Sequence, residues 1–295
     1  MDYLRLLRTL RNKNAFVNII NLFRRKGRLI CPNGFVLNFN RNNQRDVKQL
    51  YSFSLNYGVN FSNEEGLWHY KSGIVETPKG IKFSITMFDP LIFSETFLAD
   101  IHFSDFDLNN KIVIQAGGFI GDTALYYADR GAKVYSFEPD PNSYNLAIKN
   151  INLNRELSKK IVMKNYAIGA DEEINFPVNS LGSGGSSAFN LENNQLVKIR
   201  SVSIGTILKE FSLDSHYLLD IDIKGKEFEV INDVSISDFS LVRIEYSTKI
   251  GNKVIGARKN ILDKLQEYGF DKVRIFKHNE LAYDLMEHGT IEATK

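Results

Sequence analysis

Three glycines, Gly117, Gly118 and Gly121, stand between a predicted strand and a predicted helix. Glycine lets a ligand approach the backbone closely, and the first turn of a helix offers N–H groups that have no partner within the helix. Glu138 follows 21 residues after Gly117, at the end of the next predicted strand. In doubly wound folds a carboxylate at that place accepts hydrogen bonds from ribose hydroxyl groups. The pattern predicts a nucleoside-binding site; the plain alternative is a tight turn followed by an exposed glutamate.

The order of the glycines indicates which kind of nucleoside cofactor the predicted site binds. The turn reads G-G-x-x-G and lacks the G-x-G-x-x-G fingerprint of dinucleotide sites. Asp122 adds a negative charge where the pyrophosphate of a nicotinamide cofactor would lie. S-adenosylmethionine has no phosphate and carries a sulfonium cation and an ammonium group. A site with carboxylates and without basic side chains therefore suits S-adenosylmethionine better.

Acidic residues also end two later strands. Asp220 and Asp222 are two residues apart at the end of the fourth strand and therefore share one face, and Glu245 ends the fifth strand. Ligands of doubly wound folds bind at the carboxyl ends of the strands. We therefore expect Asp222 or Glu245 to deprotonate or orient an acceptor hydroxyl, with His278 at the end of the sixth strand as a third catalytic candidate. His288 lies past the predicted last strand, and we expect it on the opposite rim of the sheet.

These residues also have structural explanations. Asp222 could cap the following helix, and Glu245 could pair with Lys224 or Lys226. Otherwise the two lysines would bind an anionic group of the acceptor. Asp220, Asp222 and Glu245 together offer the hard oxygen ligands that a divalent metal such as Mg²⁺ prefers, so a metal site is a further alternative.

The elements that position these residues alternate between strands and helices from about residue 105. Strands are predicted at residues 111–116, 133–138, 161–166, 217–223, 241–246, 272–276 and 282–286, and helices at 122–130, 141–152 and 254–268. Asp140 caps the second of these helices, and Pro141 takes its first position. Such alternation predicts a parallel sheet with helices on both faces, and the short turn before the last strand predicts an antiparallel pair.

Four stretches resemble the FkbM-type family of class I S-adenosylmethionine-dependent methyltransferases. They are VIQAGGFIGD at residues 113–122, VYSFEPDP at 134–141, NINLN at 150–154, and DIKGKE at 222–227 with Glu245 downstream. Two positions depart from the family pattern: Gln115 stands where Asp is usual, and Lys224 where Glu is usual. The resemblance implies an α/β fold with a doubly wound, Rossmann-like seven-stranded sheet whose last strand is antiparallel. To this the chain adds a helical and irregular N-terminal extension.

The resemblance also implies roles for individual residues. The cofactor contacts of the family fall on Gly117, Gly118, Phe119 and Gly121 for the methionine and ribose, Glu138 for the ribose diol, Pro139 and Asp140 for the adenosine, and Asn165, Tyr166 and Ala167 for the adenine. Because Gln115 stands where the family has Asp, Asp122 or a backbone carbonyl would replace that contact to the ammonium group. The reaction implied is O-methylation of a sugar or another small hydroxylated compound. Lys224 and Lys226 suggest an acidic acceptor, such as a uronic acid or a phosphate-linked sugar.

The charge of the chain is distributed unevenly. Residues 1–28 carry eight basic residues and one acidic residue, a net charge of +7, although the whole chain has only +2. A basic segment on a mildly acidic body suggests contact with an anionic surface, lipid or polymer. The interpretation favoured over a membrane role is a solvated face of a helix packed against the body, because apolar residues near helical spacing serve a core as readily as a membrane. We expect a basic amphipathic helical segment at residues 1–29, an irregular cap or acceptor region without helices at 30–100, and the methyltransferase domain at 101–295.

Composition excludes several classes of protein. Hydrophobic residues make up 43% and charged residues 24%, which rules out a disordered chain, a collagen-like repeat and a coiled coil. No apolar run approaches the ~18 residues that cross a bilayer. Cys31 is the single cysteine, so no intramolecular disulfide forms, and the expected location is cytoplasmic, with peripheral membrane contact as an option. The basic residues cluster outside the predicted catalytic domain, so nucleic acid is not the expected substrate.

Two other functions stay open at this point. One is a Rossmann-type oxidoreductase that binds a nucleotide, and the missing dinucleotide fingerprint counts against it. The other is a non-catalytic module that binds a surface through residues 1–28, because Gln115 and Lys224 alter family positions. The sequence predicts no particular oligomeric state.

Overall fold

The computed structural model describes residues 7–100, 105–178, 195–223, 225–250, 253–277 and 288–295. These residues form two compact units. The N-terminal unit lies within residues 1–106 and includes 152–154; the C-terminal unit lies within 107–151 and 155–295. The predicted roles of Lys224 and His278 and the predicted strand at 282–286 fall outside the described residues. The division into helical segment, cap and catalytic domain stays a prediction.

The N-terminal unit combines short antiparallel strands with helices. Its helices are α1 (Ala15–Leu22), α2 (Gln44–Tyr57) and α3 (Pro90–Phe97), and its strands are β1 (Gly27–Ile30), β2 (Val36–Phe39), β3 (His69–Lys71), β4 (Ile74–Glu76) and β5 (Lys82–Ser84). β1 pairs with β2, and β3, β4 and β5 form a three-stranded antiparallel sheet. The core of this unit is aromatic, with Phe53, Phe83 and Phe93 fully buried.

Two helices contradict the expectation that residues 30–100 contain none. In α2, Val47, Leu50 and Tyr51 are buried at helical spacing, and the helix ends at Gly58 in the left-handed conformation. The serines and asparagines around these positions obscure the helical spacing of the apolar residues in the sequence. In α3, the Asp89 side chain accepts the N–H of Leu91 at 2.8 Å, so Asp89 caps a helix that begins at a proline.

The C-terminal unit alternates strands and helices as predicted. Its strands are β6 (Ile112–Ala116), β7 (Lys133–Phe137), β8 (Ile161–Lys164), β9 (Ala167–Ile168), β10 (Glu172–Val178), β11 (Gln195–Val202), β12 (Leu218–Ile221), β13 (Leu241–Ser247), β14 (Lys249–Ile250), β15 (Lys253–Val254), β16 (Lys272–Lys277) and β17 (His288–Thr294). Its α-helices are α4 (Asp122–Asp129), α5 (Pro141–Asn152), α6 (Arg155–Ser158), α7 (Ile204–Glu210), α8 (Glu227–Val230) and α9 (Arg258–Glu267), with a 3₁₀ helix at Val234–Asp238.

Seven of these strands form one sheet in the order β16-β17-β13-β12-β6-β7-β8. β8, β7, β6, β12 and β13 pair in parallel, whereas β17 runs antiparallel to both β13 and β16. One face of the sheet packs apolar side chains against α7, α9 and the 3₁₀ helix. This is the doubly wound, Rossmann-like sheet with an antiparallel strand that the sequence predicts.

The last described strand follows all of the predicted strands. β17 (His288–Thr294) was not predicted, and the strand predicted at residues 282–286 lies outside the described residues. In β17, Ile291 and Ala293 point into the apolar core, while Glu292 and Thr290 are buried on the other face. The polar residues of that second face broke the apolar pattern that marks a buried strand.

No helix in the described part of the chain has the length and apolar character needed to span a membrane.

Candidate cofactor and acceptor site

The glycine turn after β6 is pressed against the end of β12. A Cβ atom on Gly117 would stand 1.9 Å from the backbone oxygen of Asp222, and Gly117 has a φ of +92°. The N–H groups of Gly117 and Gly118 both donate to the carbonyl oxygen of Phe137, at 2.9 Å each. Glycine at 117 is therefore required both by backbone conformation and by space.

The rest of the turn leads into α4 without a side-chain cap. A Cβ atom on Gly118 would lie 2.4 Å from the Ser136 hydroxyl oxygen, Phe119 has a φ of +41°, and Gly121 is the N-cap in the left-handed conformation. The carboxyl of Asp122, the first residue of α4, accepts the backbone N–H groups of Asp122 and Thr123. The predicted cofactor residues Gly117, Gly118, Phe119 and Gly121 thus form one continuous turn.

Glu138 is held rigidly beside this turn. Its Oε2 accepts the N–H of Phe119 and its Oε1 accepts the N–H of Asp140, both at 2.8 Å. The side chain is buried, and burial raises the pKa of Glu138 to about 8 despite these two N–H donors. Each carboxyl oxygen keeps further acceptor capacity, so the group is placed to receive two hydroxyl groups.

Two polar side chains fix the loop after β7. Asp140 Oδ1 accepts the N–H groups of Asn142 and Ser143, at 2.8 and 3.1 Å, and so caps α5 as predicted. Asn165 Nδ2 donates to the carbonyl oxygens of Glu138 and Pro139, at 2.8 and 3.0 Å. The predicted residues Glu138, Pro139, Asp140 and Asn165 therefore lie together. Ala167 lies in β9 instead, where it is buried with Phe176 and Ile199.

Three carboxyl groups lie close together at this place. Asp122, the first residue of α4, is buried, and burial raises its pKa to about 6, with a contribution from the nearby Asp222 carboxylate. Asp222 also contributes to the raised pKa of Glu138, after the larger effect of burial. Three carboxyl groups therefore interact beside the glycine turn, which is an environment for a cation.

A polar row crosses the middle of the sheet at one level. Ser136, Gln115, Asp220, Arg243 and Glu292 lie opposite one another on successive strands. The Ser136 hydroxyl donates to Gln115 Oε1 at 2.8 Å, and Arg243 Nη1 donates to Asp220 Oδ1 at 3.0 Å. Gln115, where the family usually has Asp, thus takes part in a buried hydrogen bond.

Asp220 belongs to this row as a structural group. Tyr127 of α4 donates to Asp220 Oδ2 at 2.8 Å, and Arg243 occupies the other oxygen. Although burial opposes the charge on Arg243, the Asp220 carboxylate holds the pKa of Arg243 above its ordinary value. No group of three or more His, Cys, Asp or Glu side chains among the described residues could hold a metal. The structure does not bring Asp220, Asp222 and Glu245 together as such a site.

The acceptor candidates lie just beyond this row, at the carboxyl ends of the parallel strands. Ile221 of β12 lies opposite Ile244 of β13, so Asp222 and Glu245 follow at the same level. Glu245 Oε2 is 3.5 Å from Arg243 Nη2. The register confirms that β12 lies between β6 and β13, which brings Asp222 and Glu245 to neighbouring strand ends.

His288 belongs to the same rim, so the expectation that it lies on the opposite rim is wrong. Because β17 is antiparallel to β13, its first residue lies opposite Ser247, at the end of β13. His288 Nε2 is 3.8 Å from Glu245 Oε1, and Nδ1 is 3.0 Å from the Ser247 hydroxyl oxygen. The imidazole therefore has contacts on both ring nitrogens, one of them to a catalytic candidate.

Lys226, in the segment after Asp222, forms an ion pair with a neighbouring glutamate. Its ammonium group is 2.5 Å from Glu229 Oε2, and the side chain is partly exposed. Glu227 is buried, and both of its carboxyl oxygens accept the N–H of Gly225, at 2.8 Å each. This short turn carries the block that resembles the family, and Glu227 was not among the predicted site residues.

The residues missed by sequence reasoning share one property. Tyr127, Arg243 and His288 acquire their roles through partners 23 to 93 residues away in the chain. One signal was available, because Arg243 is a charged residue inside the apolar run of β13. A buried charge in a central strand indicates a paired partner on a neighbouring strand.

A comparison with known protein families shows which family this chain belongs to. Residues 115–272, more than half of the chain, match the family model described as the methyltransferase FkbM domain. The chain belongs to the FkbM methyltransferase family. It is therefore an S-adenosylmethionine-dependent methyltransferase, and the oxidoreductase and non-catalytic alternatives are set aside. None of the curated proteins matches the chain in sequence.

Several solved methyltransferases are similar to this FkbM chain. The METTL16 methyltransferase domain shares 12% identity, with 96% of this chain and 95% of that chain covered and a TM-score of 0.46. Magnesium protoporphyrin IX methyltransferase from Synechocystis, with bound S-adenosylmethionine, shares 12% identity, with 70% and 81% covered and a TM-score of 0.44. The N-terminal domain of human METTL16 with S-adenosylhomocysteine shares 12%, with 90% and 88% covered and a TM-score of 0.40. Identities this low carry no information about the acceptor.

The described residues fit the cofactor of the family. The turn at Gly117 and Gly118 has no side chains of its own, and Glu138, held by two N–H groups, is the carboxyl that would receive the ribose hydroxyls. Asp122 and Asp222 would complement the sulfonium and ammonium groups. S-adenosylmethionine is the methyl donor of this enzyme.

Proposed function

We propose that this FkbM methyltransferase methylates a hydroxyl oxygen of a sugar or a similar polyhydroxylated compound. The observation that supports the proposal is the group of Glu245, His288 and Ser247 at the carboxyl ends of β13 and β17. Carboxylates and a neutral imidazole nitrogen accept hydrogen bonds from hydroxyl groups. A cluster of acceptors suits a substrate that presents several hydroxyls.

The chain has two tasks in such a reaction. S-adenosylmethionine supplies an electrophilic methyl group when it is bound. The protein must orient the acceptor hydroxyl in line with that methyl group, and holding two reactants in place is worth about 7–11 kcal/mol. It must also accept the hydroxyl proton, which typically contributes about 10²–10⁴-fold. Positioning of the two reactants therefore contributes more to the rate than proton transfer does, and a moderately strong base is sufficient.

Glu245 and His288 are the groups proposed to receive that proton. Arg243 lies behind Glu245, with its Nη2 3.5 Å from Glu245 Oε2. His288 faces Glu245 with one nitrogen and the Ser247 hydroxyl with the other. The hydroxyl contact fixes the orientation of the imidazole ring beside Glu245.

The experiment is a transfer assay with methyl-labelled S-adenosylmethionine and a panel of neutral and acidic glycosides. We expect label on oxygen, and we expect Glu245→Gln and His288→Gln to lower kcat by about 10²–10⁴-fold. Binding of S-adenosylhomocysteine should be unchanged in both variants. Glu267→Gln, which alters an exposed carboxylate on α9, is the matched control. Label on nitrogen or carbon, or full kcat in both variants, would refute the proposal.

An acidic acceptor is a narrower form of the same proposal. Lys226 shares its charge with Glu229, so an anionic group of the acceptor would have to compete for the ammonium group. We expect Lys226→Ala to raise KM for a uronic-acid glycoside much more than for its neutral counterpart. Equal changes in both KM values would leave hydroxyl methylation intact and remove the acidic group from the proposal.

A further inference from the structure

Helix α1 presents its apolar side chains outward. Phe16 is 79% exposed and Phe23, the residue that ends the helix, is 65% exposed, with Ile20 between them on the same face. Their spacing of four and three residues places all three on one stripe. On the opposite side, Asn18 and Asn21 are buried together with Leu22. This is the reverse of the usual arrangement, in which the apolar stripe faces the core.

Hydrogen bonds hold the helix in this orientation. Asn18 pairs with the backbone of Ile30 in β1, where Oδ1 accepts its N–H at 2.8 Å and Nδ2 donates to its carbonyl oxygen at 2.9 Å. Asn18 Nδ2 also donates to the Tyr51 hydroxyl at 2.9 Å, and Asn12 donates to the same Ile30 oxygen. Rolling the helix to bury Phe16 would break these buried bonds, each worth about 1 kcal/mol and more when a buried group is left unpaired.

Basic side chains surround the exposed apolar stripe. Seven exposed cations occur between residues 7 and 28, namely Arg8, Arg11, Lys13, Arg24, Arg25, Lys26 and Arg28. Within the described chain none of the seven takes part in an ion pair. The sequence contains no Asp or Glu from residue 3 to residue 45. The surface therefore carries uncompensated positive charge together with protruding aromatic and aliphatic groups.

We infer that this surface, formed by α1 and the flanking basic residues, binds a membrane that contains anionic lipids. Apolar side chains that enter the headgroup region, combined with arginine and lysine beside them, are the features of helices that lie in a bilayer interface. Basic residues near such a surface are attracted by its negative potential, which falls off within a Debye length. A nucleic acid would use the cations but would leave Leu10, Phe16 and Ile20 without an apolar environment. The membrane accounts for both parts of the surface.

The test is co-sedimentation of the full chain with vesicles of phosphatidylcholine alone and of phosphatidylcholine mixed with phosphatidylserine. We expect binding to the mixed vesicles that weakens as salt rises. The double variant Phe16→Ser/Phe23→Ser should weaken it by about tenfold or more, because the apolar anchors are lost. Val234→Ser, which alters a residue that is 70% exposed in the C-terminal unit, is the control for removing an exposed apolar group.

A charge variant tests the contribution of the basic residues to membrane binding. Arg24→Gln/Arg25→Gln/Lys26→Gln should remove the preference for phosphatidylserine, whereas Lys159→Gln/Lys209→Gln/Lys272→Gln should keep it. The inference is overturned if the wild type does not sediment with the mixed vesicles, or if the phenylalanine variant binds them equally well. It is also overturned if single-stranded RNA binds more tightly than the vesicles. A dimer in sedimentation velocity that only the phenylalanine variant lacks would assign the surface to a second copy.

Discussion

At the scale of single residues, the site depends on carboxyl groups held in low-dielectric surroundings. Burial raises the pKa of Glu138 to about 8 and that of Asp122 to about 6. Both groups therefore hold their protons more tightly in the folded chain than in the unfolded one. Keeping them ionised costs stability in the absence of a cation, and a cationic cofactor removes part of that cost.

Asp122 gives a prediction about stability and pH. Because its pKa is raised from 3.8 to about 6, folding favours the protonated form, and stability falls as pH rises through that interval. Asp122→Asn removes this loss. We expect the variant to be more stable than wild type at pH 8, by about 3 kcal/mol or less, with the gain vanishing below about pH 4. Urea unfolding across this range measures it, with the exposed Asp263→Asn as control.

Sequence reasoning reached the residues that act through local spacing. Glu138 was predicted because it ends the strand after a glycine turn, and the N-cap of Asp140 was predicted because Pro141 follows it. His288 was placed on the wrong rim because its position depends on where the last strand begins. No local pattern encodes the pairing of Ser247 with His288, which only the sheet register creates.

At the scale of elements, the turn between β6 and α4 allows the most direct test of close backbone packing. Gly117 and Gly73 have similar φ angles, +92° and +82°, but only Gly117 faces another backbone. Gly73→Ala should cost about 1–2 kcal/mol of unfolding free energy, from backbone strain alone. Gly117→Ala should cost several-fold more and abolish S-adenosylhomocysteine binding, because Asp222 must move. Equal costs for the two variants would contradict the close packing of this turn.

The pairing of β12 with β13 gives a second stability prediction. Arg243→Leu leaves the Asp220 carboxylate buried without its cation, and breaking such a pair typically costs about 3–5 kcal/mol. Lys259→Leu removes one partner of an exposed pair on α9 and should cost less than about 0.5 kcal/mol. Guanidinium titrations of both variants measure the difference. A cost of Arg243→Leu no larger than that of Lys259→Leu would show that the buried pair does not stabilise the sheet.

Helices and strands were predicted well where apolar residues recur at a regular spacing, and poorly where polar residues interrupt that spacing. The strands β6, β7 and β13 are apolar runs between turn residues, and their predicted bounds match within two residues. α2 was missed because two of its buried positions, Ser52 and Ser54, are polar and interrupt the apolar helical spacing. β17 was missed because Thr290 and Glu292 are buried by pairing with polar neighbours, which no apolar pattern reveals.

At the scale of the whole molecule, the chain divides into two units of different character. The C-terminal unit carries the FkbM match and the glycine turn. The N-terminal unit carries the basic surface around α1. A role of residues 30–100 in binding the acceptor stays a proposal. The sequence indicated the catalytic fold because its parts recur in a fixed order, whereas the N-terminal unit has short strands whose pairing lacks a sequence signature.

The central claim is that the glycine turn and Glu138 hold the cofactor, and calorimetric titration with S-adenosylhomocysteine at pH 7 tests it most directly. Burial raises the pKa of Glu138 to about 8 and so favours its protonated form in the free chain. If its carboxylate receives the ribose hydroxyls, binding releases about one proton, visible as a dependence of the heat on buffer ionisation enthalpy. We predict this release for wild type, and its loss with about tenfold or more weaker binding in Glu138→Gln. Equal affinity and equal proton release in both proteins would contradict the account.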